Sequence, residues 1–253
     1  MYLMRTVTCG DFVEVKRYHA PSAKPKGTPR AKRKKISSEA MKKLNRNKAI
    51  EKMTWLLRCN FLGGVHFHLV LTYEEGKNRS CTFEQMKADI KKFIKVFRKS
   101  YLERFGKEFR YVFSYGVGKG GFRHFHMVCN VLSGDEQDLF EKVWRKSVKG
   151  GGSIFSTKLY ERGRKGEDFK DLAEYIIKNG EEALNFFEEA GKTYHPSKNL
   201  KKPIIEIEKV TRASSFRKKV FVPSGYVHLP ECDDNDTDAY GFEYFKYVIR
   251  RTE

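Results

Sequence analysis

The sequence predicts an α+β protein, with an antiparallel sheet carrying helices on one face, a basic N-terminal extension and a strand-rich C-terminal tail. Three observations predict it. Short glycine-bounded runs such as "GGVHFHLVLTYEE" and "GGFRHFHMVCN" alternate or concentrate apolar residues, as strands do. Longer segments between them carry apolar residues at helical spacing. The order strand, helix, strand, strand, helix, strand suits helices gathered on one face of an antiparallel sheet. The other face is then free to bind.

Taken in order, residues 1–20 read as a strand pair turning at Gly10-Asp11. Pro21, Pro25, Gly27 and Pro29 among lysines make 21–36 a flexible linker. Met41, Leu44, Ile50, Met53 and Leu57 give a helix from Ser38 to Leu57. A strand is expected over Val65 to Tyr73. Thr82 and Gln85 form a capping box before a helix with the stripe Phe83, Met86, Ile90, Phe93, Phe97 and Tyr101. Strands follow near 109–117 and, after the turn "GKGG", over "RHFHMVCNVL". Ser133 and Glu136 make a second capping box, before a helix holding Leu139, Val143 and Trp144. Beyond the glycines at 150–152 come a strand, "SIFSTKLY", and a helix from Glu167 to Asn179 with Gly180 as its stop. A short helix, "EEALNFFEEAG", leads to the tail, where the acidic "ECDDNDTD" reads as a solvated loop. The expected division is an extension over 1–60, a central domain over 61–200 and a tail over 201–253.

Charge points to the partner. The 253 residues carry a formal charge of +19, and Lys16 to Lys48 hold 13 Lys or Arg against one acid, Glu39. Such a block seeks a polyanion, and nucleic acid is the usual one. A membrane surface fits poorly, because "PSAKPKGTPRAKRKK" has almost no apolar residue to insert.

Other classes are excluded. No stretch approaches the roughly 20 apolar residues of a membrane span, and the N-terminus lacks a signal peptide's apolar region. A soluble, cytoplasmic protein is expected. Five scattered cysteines without a Cys-x-x-Cys pair argue against a zinc knuckle or a disulfide framework. No phosphate-binding Gly-x-x-x-x-Gly-Lys-Ser/Thr loop is present.

The histidines carry the chemistry. Side chains alternate along a strand, so His124 and His126 share one face while Phe125, Met127 and Cys129 take the other. His66 and His68 share a face of the earlier strand in the same way. If the two strands pair, four of the seven histidines crowd one surface. That is unfavourable when they are protonated and useful when they share a metal. In "LAEYIIKN", Tyr175 and Lys178 stand three apart, opposite the buried side of their helix.

A Thr-Tyr closing a strand ("LVLTY"), a His-hydrophobic-His strand ("HFHMV") and a later Tyr-x-x-Lys helix ("YIIKN"), in this order, resemble the HUH endonucleases. Within them the chain looks like the rolling-circle replication initiators (Rep proteins) of small phages and plasmids. The basic N-terminal region, "GGFRHFH", the Trp144 helix and "SKNLKKP" add to a resemblance that extends over most of residues 1–210. It implies an HUH/RRM-like fold and metal-dependent nicking and rejoining of single-stranded DNA at a replication origin, through a 5′-phosphotyrosine. Tyr175 would be the nucleophile and Lys178 would orient it or stabilise charge. His124 and His126 would hold a divalent metal, Mn2+ or Mg2+. Lys32, Arg33, Lys34 and Lys35, with Arg123 and Lys198, would contact DNA. A host helicase and a host polymerase are the implied partners, in the host cytoplasm if the protein is phage-encoded.

One departure matters. Many relatives carry a metal-binding carboxylate in the strand before the histidine pair, where this chain has Ser114. His68 is therefore expected as the third ligand, and an all-histidine set favours Mn2+ over Mg2+. Three rivals remain: a non-catalytic single-stranded nucleic-acid-binding protein, a relaxase or transposase with the same chemistry, and a structural metal protein.

Overall fold

The alternating runs become strands and the periodic ones helices. The computed structural model describes residues 2–20, 39–161, 163, 167–187, 191–210, 219–237 and 241–252. The expected 21–36 linker, with Lys32, Arg33, Lys34 and Lys35, lies outside the described residues. In chain order the first elements are β1 (Tyr2–Cys9), β2 (Phe12–His19), α1 (Glu39–Asn60), β3 (Phe67–Tyr73), α2 (Lys77–Ser80), α3 (Phe83–Phe105), β4 (Tyr111–Val117) and β5 (Arg123–Cys129). Then come α4 (Asp135–Ser147), β6 (Gly151–Lys158), α5 (Lys170–Phe186), β7 (His195–Pro196), β8 (Ile204–Val210), β9 (Tyr226–His228), β10 (Asp234–Thr237) and β11 (Glu243–Arg251).

The chain divides into two units, Met1–Lys48 with Lys201–Glu253, and Ala49–Leu200. The first holds an antiparallel sheet ordered β10-β11-β2-β1-β8, with β9 on β11. Residues 1–20 and 201–253, separate in the sequence reading, meet here: β1 pairs with β8 and β2 with β11. Val15, Phe245, Tyr247 and Ile249 are its buried cluster. The acidic stretch is not a loop throughout, because Asp234–Thr237 pair with Glu243–Lys246.

The second unit holds an antiparallel sheet ordered β6-β3-β5-β4-β7. The strand–helix order is the expected one, and β3 pairs with β5. Leu69, Leu71, Phe125 and Met127 turn to one face, against α3 and α4. The α3 stripe is buried as its spacing demands, Phe93, Phe97 and Tyr101 completely. Each such ring contributes about 2–3 kcal/mol by leaving water. Thr82 and Gln85 close the expected capping box reciprocally. Trp144 of α4 donates its indole N–H to the Thr72 carbonyl at 3.1 Å, fastening the helix to β3.

Three local expectations are corrected. In α1 only the second half of the stripe is buried: Ile50, Met53 and Leu57 are, whereas Met41 and Leu44 are each 45% exposed. Gly180 is no helix stop, since α5 runs on to Phe186. A side chain at 180 would put its Cβ 2.0 Å from the Thr193 carbonyl oxygen, so the glycine serves a close backbone approach. Ser133 does not cap α4, whose N-cap is Gly134 without a side-chain bond.

Glu136 turns inward instead. Its carboxylate accepts from the Tyr101 hydroxyl at 2.6 Å, the Lys107 ammonium at 2.7 Å and the Leu132 N–H at 2.8 Å. Three donors to one carboxylate outweigh a single exposed cap. Burial pushes the Glu136 pKa up, but these bonds prevail and hold it below the usual carboxylate value. A lowered folded-state pKa gives stability that is present above the unfolded value, about 4.3, and lost as pH falls through the folded value. Glu136→Gln is therefore expected to cost about 2 kcal/mol or more at pH 7, with the gap to wild type narrowing below pH ~4, read by chemical denaturation at each pH.

Candidate active site

The strand pairings assemble the site. Along β3, Phe67, Leu69, Leu71 and Tyr73 face the core, while His68, Val70 and Thr72 alternate to the other side. On β5, His124 and His126 do the same. Val70 stands opposite His126, and Thr72 opposite His124. On the other flank, Ser114 is opposite His126 and Gly116 opposite His124. A Cβ at 116 would lie 2.3 Å from His124 Nε2, so the glycine leaves room for the imidazole over β4.

Three of the four expected histidines meet here. His66 does not, because β3 begins one residue later, at Phe67. His66 Nδ1 accepts the Leu62 N–H at 3.0 Å, and burial lowers its pKa to about 4. It secures a turn.

In the cluster, His124 Nε2 and His126 Nε2 are 3.0 Å apart. The other ring nitrogens have their own partners. His124 Nδ1 lies 3.1 Å from the Phe122 carbonyl, and His126 Nδ1 lies 3.2 Å from His68 Nε2. Burial lowers the pKa of all three rings, that of His68 to about 4. His126 falls to about 3, through burial first and then its histidine neighbours. All three are neutral at pH 7. A carbonyl requires a proton on His124 Nδ1, which leaves the Nε2 lone pair facing His126. With Nδ1–H of His126 donated to His68, both Nε2 lone pairs converge, and they repel unless a cation lies between them.

That donor set fits a divalent ion on an open site. Two nitrogens about 2.1 Å from one ion and at roughly a right angle are about 3 Å apart. Metal-ligating imidazoles characteristically donate their second N–H to an acceptor, as both would here. His68 addresses the opposite nitrogen of His126, so its position is that of the acceptor behind the pair. Among the described residues, no three or more His, Cys, Asp or Glu form a group that could hold a metal by themselves. The Ser114 hydroxyl, buried opposite His126, has no hydrogen-bond partner.

Helix α5 brings the tyrosine. Arg58 of α1 donates from Nε to the Asp168 carbonyl at 2.9 Å and from Nη2 to its carboxylate at 3.0 Å, both side chains being buried. Phe169 follows in a left-handed conformation, φ 62°, and starts the helix. One and a half turns on, the Tyr175 ring stands edge-on to His126 and His68, at centroid distances of 5.1 and 5.9 Å. Tyr175 is 48% exposed, and Lys178 is exposed beside it.

Asn179 was not singled out in the sequence, although it ends the "YIIKN" motif. Its side chain donates to the Tyr175 carbonyl at 2.8 Å and also hydrogen-bonds His126, tying helix to histidine. Arg123 is not among the histidines. It leads β5, donates to the Gly121 carbonyl at 2.6 Å and lies over Phe186, 5.2 Å from the ring centre. Lys198 is exposed beyond β7.

Gly116→Ala is expected to force the His124 ring away from His126, because the new methyl overlaps it. The cost should be about 1–3 kcal/mol in stability, and imidazole NMR should lose the His124–His126 contact while the sheet persists.

Among the described residues, no helix is long and apolar enough to cross a membrane. No curated protein and no solved structure matches this chain. A family model does: residues 66–180 are similar to the ORF2 family of replication-associated proteins. The match covers just under half of the chain and includes His68, Ser114, Gly116, His124, His126, Tyr175, Lys178 and Asn179.

Proposed function

We propose that this protein initiates rolling-circle DNA replication by nicking and rejoining one strand at an origin through a tyrosine–DNA bond. The observation that carries the reading is the pair of neutral imidazole nitrogens 3.0 Å apart, with the Tyr175 ring 5.1 Å from His126. The match to a replication-associated family over this segment supports it.

Tyr175 Oη is the nucleophile. It attacks the phosphorus of a phosphodiester, the bond from phosphorus to the 3′ oxygen breaks, and a phosphotyrosine forms on the 5′ side. The tyrosine proton is lost and the leaving 3′ oxygen ends as a hydroxyl. Because one phosphodiester replaces another, the 3′ hydroxyl can reverse the step and rejoin the strand without ATP. A Mn2+ or Mg2+ ion held by His124 and His126 would supply Lewis-acid polarisation of the phosphate. His68 fixes the tautomer of His126. Asn179 holds His126 and the Tyr175 turn together. The Lys178 ammonium, exposed three residues from Tyr175, meets phosphate charge. The 3′ end primes a host polymerase, and strand separation falls to a host helicase. The basic segment with Lys32, Arg33, Lys34 and Lys35, together with Arg123 and Lys198, contacts phosphates without reading sequence.

The test is a denaturing gel of protein with single-stranded DNA from its own replicon, with Mn2+, Mg2+ or chelator. A metal-dependent covalent adduct is expected, absent in Tyr175→Phe. An adduct that survives the variant moves the nucleophile elsewhere. Intact DNA binding without adduct under any metal makes the protein a binding module. Separately, Mn2+ titration should show His124→Ala abolishing binding and His68→Ala weakening it about 10- to 100-fold, as loss of a supporting hydrogen bond does. Unchanged affinity in His68→Ala would remove that residue from the site.

A further inference from the structure

The row of residues through His126 continues past β3. Val70 is opposite His126 on one side and opposite Phe155 of β6 on the other. Directly opposed residues of antiparallel strands project to the same face. Phe155 therefore shares the face of the imidazole pair, two strands away, or about 10 Å at the usual strand spacing. Its neighbour fixes the sense of the alternation: Ile154 pairs with Leu71 and packs on the apolar core behind the sheet.

Phe155 is 63% exposed, on an edge strand. One exposed aromatic ring is ordinary on a protein surface. An exposed ring in register with a catalytic imidazole, with the half-buried Val70 as the floor between them, does no packing work that a polar residue would not do better. Its neighbour across the strand on the His68 row is Thr157, also uncharged. A flat, uncharged ring beside an apolar floor matches the face of an unpaired nucleobase, and stacking of this kind tolerates any base.

We propose that Phe155 is the stacking platform for a base of the strand being cleaved, within about three nucleotides of the scissile phosphate at stacked spacing. This rests on the proposed nicking reaction for the identity of the strand. It adds which side of the histidine pair the DNA leaves by: across β3 and β6, away from Tyr175.

The test is binding of fluorescein-labelled oligothymidine, by anisotropy over a range of salt concentrations, in full-length Tyr175→Phe protein with chelator present. Chemistry and metal then play no part. Phe155→Ala is expected to weaken binding about 5- to 150-fold, Phe155→Trp to restore it, and the salt slope to stay unchanged because no phosphate contact is lost. Since the ring is exposed, each variant should melt as the parent does. Equal affinity in Phe155→Ala, failure of Trp to rescue, or a shallower salt slope would overturn the assignment. An adduct in the nicking assay with Phe155-independent binding sinks this inference alone. Phe155-dependent binding without any adduct sinks the nuclease and keeps the platform. Failure of the parent to bind the oligonucleotide removes both.

Discussion

The position of the tyrosine depends on one buried ion pair. Arg58 and Asp168 stand 110 residues apart in sequence and meet with side chains 2% and 9% exposed. Burying such a pair gains little net stability, because desolvation nearly cancels the attraction. Its two-point geometry is what matters. The guanidinium holds both the carbonyl and the carboxylate of Asp168, the residue just before the left-handed Phe169. A non-glycine residue in that region is strained by about 1–2 kcal/mol, so the surrounding contacts must hold it there. The ring of Phe169 is buried, which supplies one such hold. The direction in which α5 departs, and hence where Tyr175 points, follows from these few atoms.

The sheet imposes the complementary constraint. Register puts Ser114, His126, Val70 and Phe155 in one row across four strands. A slip of one residue would send the histidines into the core and the phenylalanines into solvent. The core residues Leu69, Leu71, Phe125 and Met127, each with 0% exposure, make that slip prohibitive. Hydrophobic burial on one face thus sets the chemistry on the other. It also sets the charge state, since burial keeps the three imidazoles neutral and able to act as lone-pair donors at neutral pH.

Glycines and small residues tune these approaches. Gly116 admits the His124 ring, and Gly180 admits the Thr193 backbone to α5. Both positions sit in ordinary strand or helix conformation, so neither is a turn signal. Each is needed because something else comes close.

The alternation at 67–73 and 123–129, the α3 stripe, the Thr82–Gln85 cap and the shared face of His124 and His126 were determined by the sequence alone. All of them rest on contacts between residues a few positions apart, whose spacing fixes which side chains share a face. Tertiary structure decided the rest. It sent His66 to a turn and drew Glu136 from a cap to three buried donors. It ran α5 through Gly180, set His68 behind His126, and aligned Phe155 with the site. It also joined β1 and β2 to strands near the other end of the chain. Each of these depends on a partner distant in sequence, and local periodicity holds no record of which distant group will arrive or which ring nitrogen it will face.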